Sequence, residues 1–221
     1  MGIRILGTGS FVPEKTVANE EFAQYVETSD EWIVKHTGIR RRHFHDGANF
    51  EMAVEAGRRA LENAGLLPED LDLILCTTVT SDYYTPSLAC IVQGKLGASN
   101  AVALDVNAAC AGFVFGLDMA RMYLENGCRR VMVISSEMLS QITDFTDRST
   151  CVLFGDGAGA VIVERKPLCF HLRHRRAGRF YAFRPPSSKP GPLCGGALRP
   201  GMRRFCRLQG RDALYGRPEG V

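Results

Sequence analysis

The residue with the most chemistry to offer is Cys110, at the centre of Asn107-Ala108-Ala109-Cys110-Ala111-Gly112. An apolar run of strand length, AVALDV from Ala101 to Val106, feeds this turn, and an apolar segment of helical length leaves it and runs to Asn126. A strand that enters a helix through a turn of small residues lifts the residue at the bend and leaves it reachable. At or near a helix N-terminus, unpaired N–H groups and the macrodipole favour the thiolate, which is the form that attacks a carbonyl. Small neighbours on both sides leave room for a substrate. Cysteine is also a common core residue. Its type therefore leaves two readings open, a buried thiol and a nucleophile.

Other chemistry-bearing stretches are weaker. Arg40-Arg41-Arg42-His43 reads as a solvated charged loop or as a landing point for a phosphorylated ligand. Gly155, Gly157 and Gly159 lead into the β-branched run AVIVE rather than opening a helix, so a glycine-rich turn into a strand fits better than a phosphate loop. Eight cysteines form no CxxC pair and no Cys/His cluster at zinc spacing, so no metal site is expected. The opening MGIRILGTGS has no signal-peptide pattern, and Leu6 stands where myristoylation needs Ser or Thr. Reduced thiols in a cytoplasmic protein are expected. No apolar run is long enough to span a membrane.

The elements that must position Cys110 alternate. Ile3 to Gly9 reads as a strand ending in a Gly-Ser turn. Asn19 is expected to cap a helix through about Val26, with Glu20 and Glu21 in its first turn. Thr28-Ser29-Asp30-Glu31 has capping-box spacing for a short helix that carries Trp32 and stops at Gly38. Glu51 to Ala64 is a helix stopped by Gly65, and Leu71 to Thr78 a buried strand. Thr85-Pro86 reads as a cap followed by a first-turn proline, opening a helix to Gly97. In the helix after Cys110, Asp118, Arg121 and Glu125 leave one thin polar stripe, so that helix is expected to be buried on nearly all sides. Arg130 to Ser135 completes a strand–helix–strand unit with the right-handed crossover of a parallel pair. Such alternation implies an α/β layered domain with a mixed sheet and helices on both faces.

Charge divides the chain. Residues 1–164 hold 13 Lys+Arg against 22 Asp+Glu, and residues 165–221 hold 14 against 2, so net charges of −9 and +12 make up the overall +3. Seven of the ten prolines fall in the second part. The expected organisation is a domain over 1–164 and a basic Pro/Gly/Arg-rich segment over 165–221.

Ordered blocks across the first part resemble the β-ketoacyl-acyl-carrier-protein synthase III family of thiolase-fold condensing enzymes. They are GTGSFVPE (Gly7–Glu14), TSDEWIV (Thr28–Val34), TGIRRR (Thr37–Arg42), NAACAGF (Asn107–Phe113), TDRST (Thr146–Thr150) and FGDGAGA (Phe154–Ala160). The resemblance implies the N-terminal half of a thiolase-like fold. It makes Cys110 the nucleophile that takes an acyl group from acyl-CoA, before decarboxylative condensation with malonyl-acyl carrier protein starts a fatty-acid chain. It places Trp32 and Arg148 about the CoA adenine with Thr28 nearby, and Thr85 in the acyl pocket of a partner subunit in a homodimer. It implies no cofactor beyond these substrates. His36 stands where the family usually has Arg, which puts one anion contact in doubt.

The family's second half supplies a His and an Asn for condensation, and no matching motif occurs here. After Cys110 the only histidines are His171 and His174. Residues from about Arg165 or Lys166 read as an out-of-frame translation of a GC-rich gene, with CFHL (Cys169–Leu172) as a possible late echo of the family. A chain that at most binds CoA or acylates itself is the alternative reading. A basic arm for nucleic acid is disfavoured by sparse aromatics and the lack of any binding signature.

Overall fold

Along Arg130 to Met138, successive apolar side chains enter two different cores. Val131 and Val133 pack with Leu73, Leu75, Ala120, Leu124 and Val163. Met132 and Ile134 pack with Met52, Ala56, Ala60, Leu88, Val92 and Ile162. A strand with both faces buried reads as a continuous apolar run, which is how Leu73–Thr77 looks in the sequence. The two cores lie on the two faces of one sheet.

The computed structural model describes residues 2–166. The proposed frame change near residue 165, the CFHL stretch, His171, His174 and the basic arm lie outside the described residues or at their end. In chain order the elements are β1 (Ile3–Phe11), β2 (Thr16–Ala18), α1 (Asp30–Thr37), β3 (Arg41–His43), α2 (Asn49–Ala64), β4 (Leu73–Thr77), α3 (Leu88–Leu96), β5 (Val102–Val106), α4 (Gly112–Glu125), β6 (Arg130–Met138) and β7 (Asp156–Arg165). The main sheet has the order β1-β7-β6-β4-β5. Strand β4 is parallel to both β5 and β6, and β7 is antiparallel to β6 and β1. Helices α2 and α3 cover one face and α4 the other. The expected thiolase-like arrangement, a mixed sheet with helices on both faces, is what the chain adopts.

Several local expectations change. Strand β1 runs through Gly9-Ser10 to Phe11 without turning. Its glycines serve packing: a Cβ on Gly9 would lie 2.1 Å from the Ala56 carbonyl oxygen, and one on Gly7 2.6 Å from that of Ala60. Asn19 caps nothing. A tight 3-10 turn spans Asn19–Gln24, Glu21 accepts the Ala18 N–H at 2.8 Å, and the buried Asn19 amide donates to Asp30 and to the Ile39 carbonyl. Helix α3 starts at Leu88 rather than Pro86, because Ser87 accepts the Cys90 N–H and the Asp105 carboxylate takes the N–H groups of Leu88 and Ala89. Strands β5 and β6 are joined through α4 but are not neighbours, since β4 lies between them.

Helix α4 is buried on one stripe only, Gly112, Gly116, Ala120 and Leu124, four residues apart. Val114, Phe115 and Met122 on its other side are exposed. The Asp118–Arg121–Glu125 stripe forms as ion pairs of 2.8 and 3.0 Å. Apolar composition all round the helix therefore does not mean burial all round among the described residues.

A third, smaller core holds Val17, Phe22, Ile33, Cys151 and Val152, with Trp32, Phe44 and Phe145 against it. It joins α1 and the antiparallel β2–β3 pair to the loop before β7. Arg42, read as a surface or phosphate-facing cation, is buried there instead. Its guanidinium lies 4.6 Å from the Phe22 ring centroid, and it donates to the Val152 carbonyl and to Asn19. Burial lowers its pKa, but a guanidinium starts so high that it remains charged.

Candidate active site

Cys110 lies in a 3-10 turn, Ala109–Ala111, between β5 and α4. Ala109 sits at φ 45°, left-handed space that a residue with a Cβ rarely enters. Cys110 is exposed. No side chain caps α4, because its N-cap is Ala111. The helix start is seated hard on the sheet: a Cβ on Gly112 would meet Thr77 at 3.1 Å, and one on Gly116 would meet Val133 at 2.9 Å. Small residues thus fix the thiol at the carboxyl ends of the parallel strands, the usual ligand-facing side of an α/β sheet.

The other described thiols sit in different surroundings. Burial, with Asp105 adding to it, raises the Cys76 pKa well above the usual thiol value. Burial also raises that of Cys128, with Asp72 nearby, and that of Cys151, with Asp147 nearby. A thiol held protonated is a poor nucleophile. Cys90 is exposed on α3.

The chain between β4 and α3 forms the wall of an open cleft of roughly 790 Å³, lined by Val79, Tyr83, Tyr84, Thr85, Asp105 and Asn107 among others. Thr85 and Tyr84 are exposed. Carboxylates hold this segment. Asp82 accepts the N–H groups of Asn49 and Phe50 at 2.7 and 2.8 Å, at the start of α2. Glu137 accepts the Val79 N–H at 2.9 Å and the Thr80 hydroxyl at 2.6 Å. The buried Asn49 amide donates to the Thr80 carbonyl at 2.9 Å, and Ser136 donates to Asn49 Oδ1 at 2.5 Å. Fully satisfied buried networks of this kind rigidify what they hold.

Trp32 and Arg148 meet directly, the Arg148 guanidinium carbon lying 4.0 Å from the indole centroid. His36, one turn along α1, stacks on the same indole at 4.3 Å and 27°. Helix α1 is placed by Ser29, which accepts the Trp32 N–H at 3.2 Å, and by Gly38 at φ 75°. The Thr28 hydroxyl is the one buried side-chain polar atom among the described residues without a hydrogen-bond partner. Trp32 packs against the third core, and neither it nor Arg148 lines the cleft, whose wall includes Asn107 but not Cys110. The described residues contain no group of three or more His, Cys, Asp or Glu arranged to hold a metal, and no helix long and apolar enough to cross a membrane.

The family profile for 3-oxoacyl-(acyl-carrier-protein) synthase III matches residues 104–173, a stretch that opens in β5 and contains Cys110. A β-ketoacyl-acyl-carrier-protein synthase III of Caldanaerobacter subterraneus subsp. tengcongensis is 53% identical over 164 residues, 73% of this chain and 50% of that protein. One of Clostridium acetobutylicum is 50% identical over 163 residues, with the same coverage. The crystal structure of the 3-oxoacyl-(acyl-carrier-protein) synthase III of Aquifex aeolicus superposes with a TM-score of 0.73 at 46% identity, over 75% of this chain and 54% of that one. The priming β-ketosynthase of the R1128 polyketide pathway gives a TM-score of 0.72 at 41% identity, over 74% and 50%.

Over 73% of its length the chain matches proteins of the β-ketoacyl-acyl-carrier-protein synthase III family.

It spans about half the length of the curated relatives it matches. Sequence reasoning placed Cys110 on a reachable turn, and the family resemblance singled out Trp32 and Arg148, which the fold brings into contact. It missed Asn49, Asp82 and Glu137, whose partners are far away in sequence and leave no local pattern. Asp105 did leave a signal, a carboxylate inside the apolar run AVALDV, where an unpaired charge is costly.

Proposed function

We propose that this chain carries the acyl-accepting half of an acyl-CoA-dependent β-ketoacyl-acyl carrier protein synthase III, with Cys110 as the nucleophile. The Cys110 thiolate attacks the thioester carbonyl of acyl-CoA, the tetrahedral oxyanion collapses, and CoA leaves as its thiolate. The acyl group then rests on Cys110 as a thioester. Backbone N–H groups at the uncapped start of α4 are the donors available to the oxyanion, and such donors each contribute roughly 10²–10³ in rate. In the complete reaction, malonyl-acyl carrier protein loses CO₂, its enolate attacks the Cys110 thioester, and the thiolate is released.

The observation that carries this reading is the exposed Cys110 on a left-handed turn at the head of α4, inside the stretch that matches the family. The base-stacking pair Trp32 and Arg148, with Thr28, is the proposed CoA end of the site. Thr85 on the cleft wall is the proposed contribution to a partner's acyl pocket in a homodimer. For the chain by itself we expect acylation without condensation, because no His or Asn motif of the family's second half occurs in its sequence.

Incubation of the full chain with labelled acyl-CoA, followed by malonyl-acyl carrier protein, tests both statements. Label on Cys110 with no β-ketoacyl product is the expected result. Turnover would refute the expected inactivity, and a Cys110 that stays unlabelled while other thiols react would refute the nucleophile.

A further inference from the structure

The side chains of β4 that face α4 form one row. Leu73 and Leu75 enter the core beneath this helix, and Thr77, two residues on, continues the row at the carboxyl end of the strand. Thr77 is buried, and its neighbours across the sheet are Val106 on β5 and Ser135 on β6. The start of α4 rests on this one side chain. A Cβ on Gly112 would lie 3.1 Å from Thr77 Cβ and 3.4 Å from its Oγ1, and one on Gly116 would lie 3.1 Å from its Cγ2. Every heavy atom of the Thr77 side chain therefore faces a glycine of the helix. The Thr77 and Ser135 hydroxyl oxygens lie 2.5 Å apart, a hydrogen bond that decides which branch of Thr77 faces which glycine.

Little else fixes the turn that carries Cys110. The Ala111 N–H donates to the Ala108 carbonyl and the Gly112 N–H to that of Ala109, both within the turn. No side chain caps the turn or the helix that follows it. Ala109 at φ 45° holds a conformation that persists only when its surroundings impose it. The Thr78 N–H donates to the Val106 carbonyl at 3.2 Å, so the end of β4 is tied to the strand end that delivers the turn.

We propose that Thr77, locked by Ser135, is a positioning residue for the acylation of Cys110. Its side chain sets the height of the first turn of α4 above the strand ends, and with it the aim of the backbone N–H groups at the thioester oxygen. The inference rests on the reading of Cys110 as the acyl acceptor and deepens it, by naming what holds the proposed oxyanion donors in place. Without the branch atoms of Thr77 the first turn settles towards β4, and a misplacement of about 1 Å can cost about 10²-fold in rate. The loss falls on reactions that pass through an oxyanion and spares those that do not.

Two reactions of Cys110 are compared in the full chain carrying Cys90→Ala. Acetyl-CoA and butyryl-CoA acylate the thiol through a tetrahedral oxyanion. Iodoacetamide alkylates it in one displacement, with loss of iodide and no oxyanion. Mass spectrometry of the Cys110 peptide reads both rates. Thr77→Ala should slow acylation by about 10-fold or more and change alkylation by less than about 2-fold. Thr77→Ser keeps the hydroxyl and loses the methyl facing Gly116, and should slow acylation by about 3-fold. Ser135→Ala lets the Thr77 hydroxyl and methyl exchange places, and should also slow it by about 3-fold. Thr77→Val fills the same space with a stiff side chain and should stay within about 2-fold of wild type.

Acylation at the wild-type rate in Thr77→Ala overturns the inference and leaves Cys110 as the nucleophile. If circular dichroism shows that Thr77→Ala does not fold, Thr77→Ser decides in the same way. Equal slowing of acylation and alkylation also overturns it, since Thr77 would then act on the fold or the thiol and not on the donors. A wild-type chain that is alkylated at Cys110 but never acylated refutes the acyl-CoA reading, and this inference with it.

Discussion

Gly9→Ala should be the most damaging single-methyl addition in the described residues. The new Cβ would sit 2.1 Å from the Ala56 carbonyl oxygen and 2.4 Å from the Ala60 nitrogen, both backbone atoms of α2. A carbon–oxygen contact needs more than 3 Å, so α2 would have to withdraw by about 1 Å, and a gap of that size forfeits about a quarter to a half of each dispersion contact it opens. The residues that lose contact are Met52, Ala53, Ala56, Ala60 and Leu61, the buried stripe of α2. With about 1.5–3 kcal/mol for burying each large side chain, the loss comes to about 3 kcal/mol, a large part of the 5–15 kcal/mol typical of a whole domain.

Two other glycines calibrate the scale. Gly116→Ala meets the Val133 side chain at 2.9 Å and should cost about 1–2 kcal/mol after its gain in helix propensity. Gly94→Ala on α3 meets nothing within 4 Å and should stabilise by up to about 1 kcal/mol. Urea denaturation followed by Trp32 emission and circular dichroism gives the three values. The order Gly94→Ala, Gly116→Ala, Gly9→Ala from most to least stable is required. A Gly9→Ala protein as stable as Gly116→Ala would refute the close seating of α2 on β1.

The remaining predictions concern the site and its frame. Cys110→Ala should abolish acyl labelling while Cys90→Ala, also exposed, leaves it, as intact-protein mass spectrometry would show. Asp82→Ala removes the acceptor for two N–H groups of α2 and should cost about 1–2 kcal/mol, with faster amide exchange over residues 79–85. Arg42→Ala strands the Asn19 and Val152 acceptors in a buried pocket and should lower stability by about 2–3 kcal/mol in the same denaturation assay. Hydrogen bonds from Arg58, then Arg59, hold the Glu55 carboxyl at about 2 instead of its ordinary 4.5. A depressed folded-state pKa gives stability present above pH 4.5 and lost as pH falls towards 2. Solvent screening keeps this below about 1 kcal/mol, and Glu55→Gln should flatten that part of the pH–stability curve.

What the sequence made legible was whatever is written locally. The Thr28-to-Glu31 spacing marks the start of α1 one residue early, since Ser29 is its cap, and the glycines at 38 and 65 mark helix ends, because capping is decided within a few residues. The apolar run at Leu73–Thr77 announced a strand buried on both faces. Other features depended on partners distant in the chain. Asn19 looked like a cap until Arg42 and Asp30 claimed its side chain. Thr85-Pro86 looked like a helix start, but Asp105 on another strand captures the first N–H groups two residues later. Gly9 looked like a turn because nothing in its neighbours reveals a helix backbone against it. The Cys110 turn was readable for the opposite reason, as strand, small residues and helix follow one another without interruption. Its left-handed Ala109 was not, since alanine carries no mark of such a conformation.

The segment between β4 and α3 has a consequence for how the cleft can change over time. Its ends are fastened separately, at Asp82 and Glu137 on one side and at Ser87 with Asp105 on the other. Tyr83, Tyr84 and Thr85 hang between these fastenings, exposed and outside the folding core. Substitutions there alter the cleft wall without disturbing the strand that delivers Cys110. Side chains at these three positions can therefore change what the cleft admits, independently of the turn that carries Cys110, the proposed attachment point for an acyl group.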